Sequence, residues 1–178
     1  MTRKFLFCFP LRAGNIVLGY IIILLSIAVV AYHLFQLALC LVDKNDERSQ
    51  DKFRDFQNIE KIFGPTDGAV IKIVMMTYYL SYAIIGFLLF LFGIFLTCGA
   101  HKANHCLVGT FFVYSFFHLF FTIELIIFEA LTMGWIQLGL ILLSDLLLVI
   151  CLFSVKYLME AIRTGNIYSR PGEVYYKY

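Results

Sequence analysis

Charged residues fall in a few short stretches of the chain, and long uncharged runs separate them. Ala13 to Val42 is 30 residues without Lys, Arg, Asp or Glu, Ile73 to His101 is 29, and Ala103 to Ile123 is 21. Ala130 to Val155 is 26 residues, interrupted only by Asp145. A helix needs about 20 apolar residues to cross a bilayer core, and a segment in lipid must satisfy its own backbone. The pattern therefore predicts four transmembrane helices, at 15–41, 73–98, 106–128 and 135–155. The flanking pieces are an N-terminal segment at 1–14, a loop at 42–72, short connections at 99–105 and 129–134, and a tail at 156–178. Short links favour antiparallel neighbours, so the expected fold is all-α, an integral membrane up-down four-helix bundle. The first apolar run is about twice the length of a signal-peptide core and is expected to stay as an anchor.

Composition agrees with this reading. The chain of 178 residues is 61% hydrophobic and 15% charged, with a mean hydropathy of +0.85. A soluble domain averages roughly 45–50% apolar and about 25% charged, and a core of this size cannot hide so much apolar surface. The lipid bilayer is thus the first partner. Net charge is only +2 and the basic residues form no dense run, so no nucleic-acid partner is expected. The chain contains no phosphate-binding glycine loop, no H-E-x-x-H and no G-x-S-x-G, so neither an enzyme nor a cofactor is expected.

The polar stretch Asp43 to Lys72 holds six basic and seven acidic residues. Phe53, Phe56, Ile59 and Phe63 recur there at helix-like spacing, which fits either an amphipathic helix at the membrane surface or a solvated loop with anchoring aromatics. Gly64-Pro65-Thr66-Asp67-Gly68 reads as a turn before the second span. Arg3, Lys4, Arg12, Lys102, Lys156, Arg163, Arg170 and Lys177 lie on the side of the termini, against six basic residues in the long loop. This excess favours cytosolic termini and an outer loop. Tyr78, Tyr79 and Tyr82 then fit an aromatic belt for the second span, and Trp135 one for the fourth.

The five cysteines are Cys8, Cys40, Cys98, Cys106 and Cys151, and none lies in the long loop. A disulfide-stapled outer domain is therefore not expected. Cys8, Cys98 and Cys106 are juxtamembrane and are candidates for palmitoylation, or else small apolar packing residues. Cys98, His101, His105 and Cys106 form a compact group, but their spacing matches no usual zinc pairing and no metal is expected.

Ionisable groups inside a membrane are costly and often functional. The candidates are His33, His118, Glu124 and Asp145. Counted from His105 and Lys156, His118 and Asp145 are expected to meet across neighbouring helices. Such a pair either fastens helices together or moves a proton. Gly86 and Gly93 lie two turns apart on one face, suited to close helix packing within the bundle or to a homodimer seam. An oligomer is left open.

The opening Cys8-Phe9-Pro10-Leu11-Arg12-Ala13-Gly14-Asn15-Ile16-Val17-Leu18-Gly19 resembles the start of the lysosome-associated tetraspan proteins, in which cysteines precede an Arg-x-Gly-x-Ile-x-x-Gly run into the first span. It is more similar to an arthropod four-transmembrane family that includes the pasiflora proteins of septate junctions. The four-span layout extends this resemblance over most of the chain, and Cys8, Arg12, Gly14 and Gly19 carry its sequence-specific part. The resemblance implies a structural component of a cell-junction complex at the lateral plasma membrane. Such a component would support a paracellular barrier and pack laterally with other integral membrane proteins. The tail lacks the PPxY motifs of the lysosomal relatives, although an endosomal or lysosomal tetraspan that modulates trafficking of its partners is the alternative. A small proton-linked carrier using His118, Glu124 and Asp145 is the second. On physical grounds Arg12 is placed to snorkel to phosphates, and Gly14 and Gly19 to let helices approach.

Overall fold

The computed structural model describes residues 4–5, 9–42, 68–132 and 134–165. Among these, four helices follow one another: α1 (Leu11–Val42), α2 (Gly68–Lys102), α3 (His105–Thr132) and α4 (Trp135–Arg163). All four are long and apolar enough to cross a membrane. Ahead of α1, the two-residue strands β1 (Lys4–Phe5) and β2 (Phe9–Pro10) pair antiparallel, which leaves the all-α class unchanged. Cys8, the aromatic stretch Phe53–Phe63, the turn at Gly64–Asp67 and the tyrosines of the tail beyond Gly165 lie outside the described residues.

The helices run past the apolar spans. α2 begins at Gly68 rather than at 73, α3 continues to Thr132 rather than 128, and α4 continues to Arg163 rather than 155. A helix ends where its terminal backbone groups find other partners, not where charge first appears. At the α2–α3 corner, Ala103 is left-handed with φ 50°, and the Asn104 N–H donates to Gly99 C=O at 2.9 Å. This is a Schellman ending with alanine in the position that glycine usually fills. Asn104 then caps α3, its Oδ1 accepting from the Cys106 N–H at 2.9 Å.

The helices pack in a ring: α1 on α2, α2 on α3, α3 on α4, and α4 more narrowly back on α1. The end holding the start of α1 and the end of α4 is called here the terminal face, and the opposite end the loop face. The apolar core lies toward the terminal face, built from Ile22, Leu96, Ala100, Val108, Phe111, Leu148, Val155 and Leu158. The buried residues of α4, namely Leu148, Leu152, Ser154, Val155 and Leu158, lie between its middle and its terminal-face end.

Small and polar side chains mark the inward faces. Asn15, Gly19, Ile22 and Ser26 form the buried stripe of α1. Val108, Phe111, Ser115, His118, Thr122, Leu125 and Glu129 form that of α3. Alternating steps of three and four residues keep such a stripe on one side of a helix. Lipid is as apolar as leucine, so close approach and polar contacts decide which face turns inward.

The α1–α2 seam is the tightest contact. A Cβ on Gly19 would overlap the Thr97 hydroxyl and stand 3.3 Å from Thr97 Cα. One on Gly93 would stand 3.1 Å from Ile22 Cγ2, and one on Gly86 would stand 3.0 Å from Val30 Cγ2. Gly86 and Gly93 therefore face α1 inside the bundle rather than a homodimer seam. Gly14, from the same opening motif, is buried as well.

Candidate functional site: polar groups between the helices

Near the loop face a carboxylate sits between helices. Glu129 is 3% exposed, and its Oε1 accepts from the Tyr78 hydroxyl at 2.6 Å and the Tyr82 hydroxyl at 2.7 Å. The α2–α3 hairpin explains the match, since Tyr78 and Glu129 lie equally far along the chain from the Ala103–Asn104 corner. His33 of α1 closes the group. Its ring stacks parallel on Tyr82 with centroids 4.4 Å apart, and its Nδ1–H donates to Val29 C=O at 2.8 Å. Three helices thus converge on one acid. A Cβ on Gly134 would collide with the Glu129 carboxylate, so the α3–α4 turn also depends on it.

Two expectations are corrected here. Tyr79 and Tyr82 are buried and Tyr78 is half-buried, so the three tyrosines form an internal contact rather than an outer belt. Glu129, assigned to a connection, is the buried acid of α3. Glu124 is exposed on the opposite side of the helix. The clue in the sequence was the heptad-like series through Ser115, His118, Thr122 and Glu129, which skips Glu124. Trp135 is 69% exposed at the start of α4.

The expected pairing of His118 with Asp145 is also corrected. Asp145 Oδ2 accepts from the Thr122 hydroxyl at 2.8 Å, while His118 Nδ1 lies 3.3 Å from the Tyr114 hydroxyl on its own helix. Thr122 lies ten residues before the end of α3 and Asp145 ten residues after the start of α4, so the hairpin brings them level. Counting from the far helix ends misplaced the partner by one helical turn. Asp145 Oδ1 is buried without a hydrogen-bond partner. Tyr114 in turn stacks on Phe92 of α2, with centroids 3.9 Å apart.

The terminal face is fastened in the same way. Asn15 Nδ2 donates to the Leu11 C=O at 2.7 Å and to Ser154 Oγ at 3.2 Å, tying α1 to α4. Arg12 departs from expectation. Instead of reaching outward to phosphates, its Nε donates to Ala100 C=O at 2.9 Å, and its Nη2 donates to His101 C=O. The guanidinium therefore caps the last carbonyls of α2, where a cation meets the negative end of the helix dipole.

Cys98 and Cys106 are exposed at this corner, Cys151 is half-buried and Cys40 is buried. His101 Nε2 lies 3.4 Å from the Tyr20 hydroxyl. Among the described residues, no group of three or more His, Cys, Asp or Glu side chains is placed to hold a metal.

Four lipid-length helices in a ring, joined by inward polar contacts, define a multi-pass tetraspan membrane protein. No protein-family model, curated protein or solved structure matches the chain.

Proposed function

We propose that this protein is a non-enzymatic structural tetraspan of a cell-junction complex. It would lie in the lateral plasma membrane with both termini cytosolic, pack beside other integral membrane proteins, and support a paracellular barrier. One observation carries the reading. The polar groups best placed for chemistry are used to join helices: Glu129 to Tyr78 and Tyr82, Asp145 to Thr122, Asn15 to Ser154, and Arg12 to the end of α2. The resemblance of the opening motif supports the junction setting. Arg12 and Gly19 of that motif make contacts between helices, and Gly14 is buried.

The test is imaging of a C-terminally tagged copy in polarised insect epithelium, with tracer permeability measured after depletion. Lateral-junction signal and a leaky barrier are expected. Punctate endolysosomal signal with an intact barrier would replace this reading with the trafficking one. The unpartnered Asp145 Oδ1 favours a second reading, a proton-linked carrier. That reading requires a pH-driven flux in proteoliposomes that Asp145→Asn abolishes.

A further inference from the structure

Of the acids in the described helices, Glu129 and Asp145 turn toward neighbouring helices, Glu160 is exposed near the terminal-face end of α4, and Glu124 is exposed within α3. It occupies the middle of an apolar surface on α3. Phe117, Phe120, Phe121 and Ile127 stand seven, four and three residues before it and three after, and all are exposed, Phe120 by 70%. At 1.5 Å per residue, Glu124 lies about 12 Å inside the loop-face end of α3 and about 8 Å deeper than Glu129. No hydrogen bond or ion pair joins it to another described residue. Acids within membrane spans almost always face a bundle interior, a water-filled cavity or a partner group. An outward acid flanked by phenylalanines on one side and Ile127 on the other fits a bundle whose interior is completed by another chain.

Among the described residues, a second copy of this protein offers no Lys or Arg at this depth. The described basic residues lie near the helix ends. Lys4, ahead of α1, and Arg12, Lys102, Lys156 and Arg163 are at the terminal face. Lys72 is six residues before Tyr78, which is level with Glu129, so Lys72 lies about 17 Å from the depth of Glu124 along the bundle axis. Among the described residues, two copies inserted with the same topology therefore oppose Glu124 with no Lys or Arg.

We infer that the Glu124 face of α3 docks a transmembrane helix of a different membrane protein, one that presents a Lys or Arg side chain about two turns below its own loop-side end. The aromatic flank supplies contact area, and the charge pair sets depth and partner identity. This inference rests on the lateral-assembly reading above and names the chemistry of its partner.

The test uses the full chain, purified and labelled, in phosphatidylcholine vesicles with a labelled poly-leucine transmembrane peptide. One peptide carries a single Lys at the matching depth and the other carries Leu there. Energy transfer is expected to report at least about tenfold tighter association of the Lys peptide, a difference of about 1.4 kcal/mol. Glu124→Leu is expected to erase the preference. Because the side chain faces lipid, this variant should remain monodisperse, with the helical circular dichroism of the parent. Equal association of the two peptides, or a Lys preference that survives Glu124→Leu, would overturn the inference. Self-association of the chain that Glu124→Leu abolishes would also overturn it, by assigning the face to a second copy. The barrier assay is independent of this readout, so failure of the junction setting and failure of the Glu124 face are told apart.

Discussion

Glu129 offers the sharpest test of how this bundle is held. Glu129→Leu removes the acceptor shared by two tyrosine hydroxyls, at 2.6 and 2.7 Å, and leaves both donors in a largely buried site. A buried polar group stripped of its partner costs about 1–3 kcal/mol. Fastenings measured in bilayers run lower, at about 0.6–2 kcal/mol, because released groups find substitutes. For two donors, a loss of about 2–4 kcal/mol is expected from Glu129→Leu. Glu129→Gln keeps an acceptor oxygen in place and should cost no more than about 1 kcal/mol. The decisive variant adds Tyr78→Phe and Tyr82→Phe to Glu129→Leu. It contains neither orphaned donors nor a buried acid, so it should regain most of the lost stability. Steric-trapping measurements of unfolding in bicelles give the free energies of the parent, the two Glu129 variants, Tyr78→Phe and Tyr82→Phe alone, and the triple variant. If the triple variant is as unstable as the single effects added together, the tyrosines and the acid do not act as one group, and the reasoning fails.

Three other outcomes follow from the packing. Gly19→Leu should separate α1 from α2 at Thr97 and destabilise the bundle by about 1–3 kcal/mol or more, whereas Gly139→Leu, with nothing within 4 Å of its added Cβ, should be silent in the same bicelle measurement. Ala103→Gly should stabilise the α2–α3 corner by about 1 kcal/mol, because alanine at φ 50° carries a steric penalty that glycine lacks; a rise in the melting temperature of the detergent-solubilised protein checks it. Thr122→Val and Asp145→Leu should each cost about 0.6–2 kcal/mol and should be non-additive when combined; a purely additive double variant would show that the 2.8 Å contact contributes nothing.

The uncharged runs were enough to fix the number of helices and their approximate places. The length of lipid that must be crossed and the demand for internal backbone pairing admit few other answers. Much of the α1–α2 seam was also legible, because Gly19, Gly86 and Gly93 stand where only a missing side chain permits close approach. Which acid turns inward was decided by the tertiary structure. Hydrophobicity distinguishes inside from outside in water, but in a membrane both sides of a helix are apolar, so Glu124 was singled out and Glu129 left to a connection until α3 was given a buried stripe. The partners of Asp145 and Arg12 depended on hairpin register and on where α2 ends. Those are set by how closely α4 follows α3 and by the left-handed Ala103, features that act through geometry rather than through the polarity of the chain.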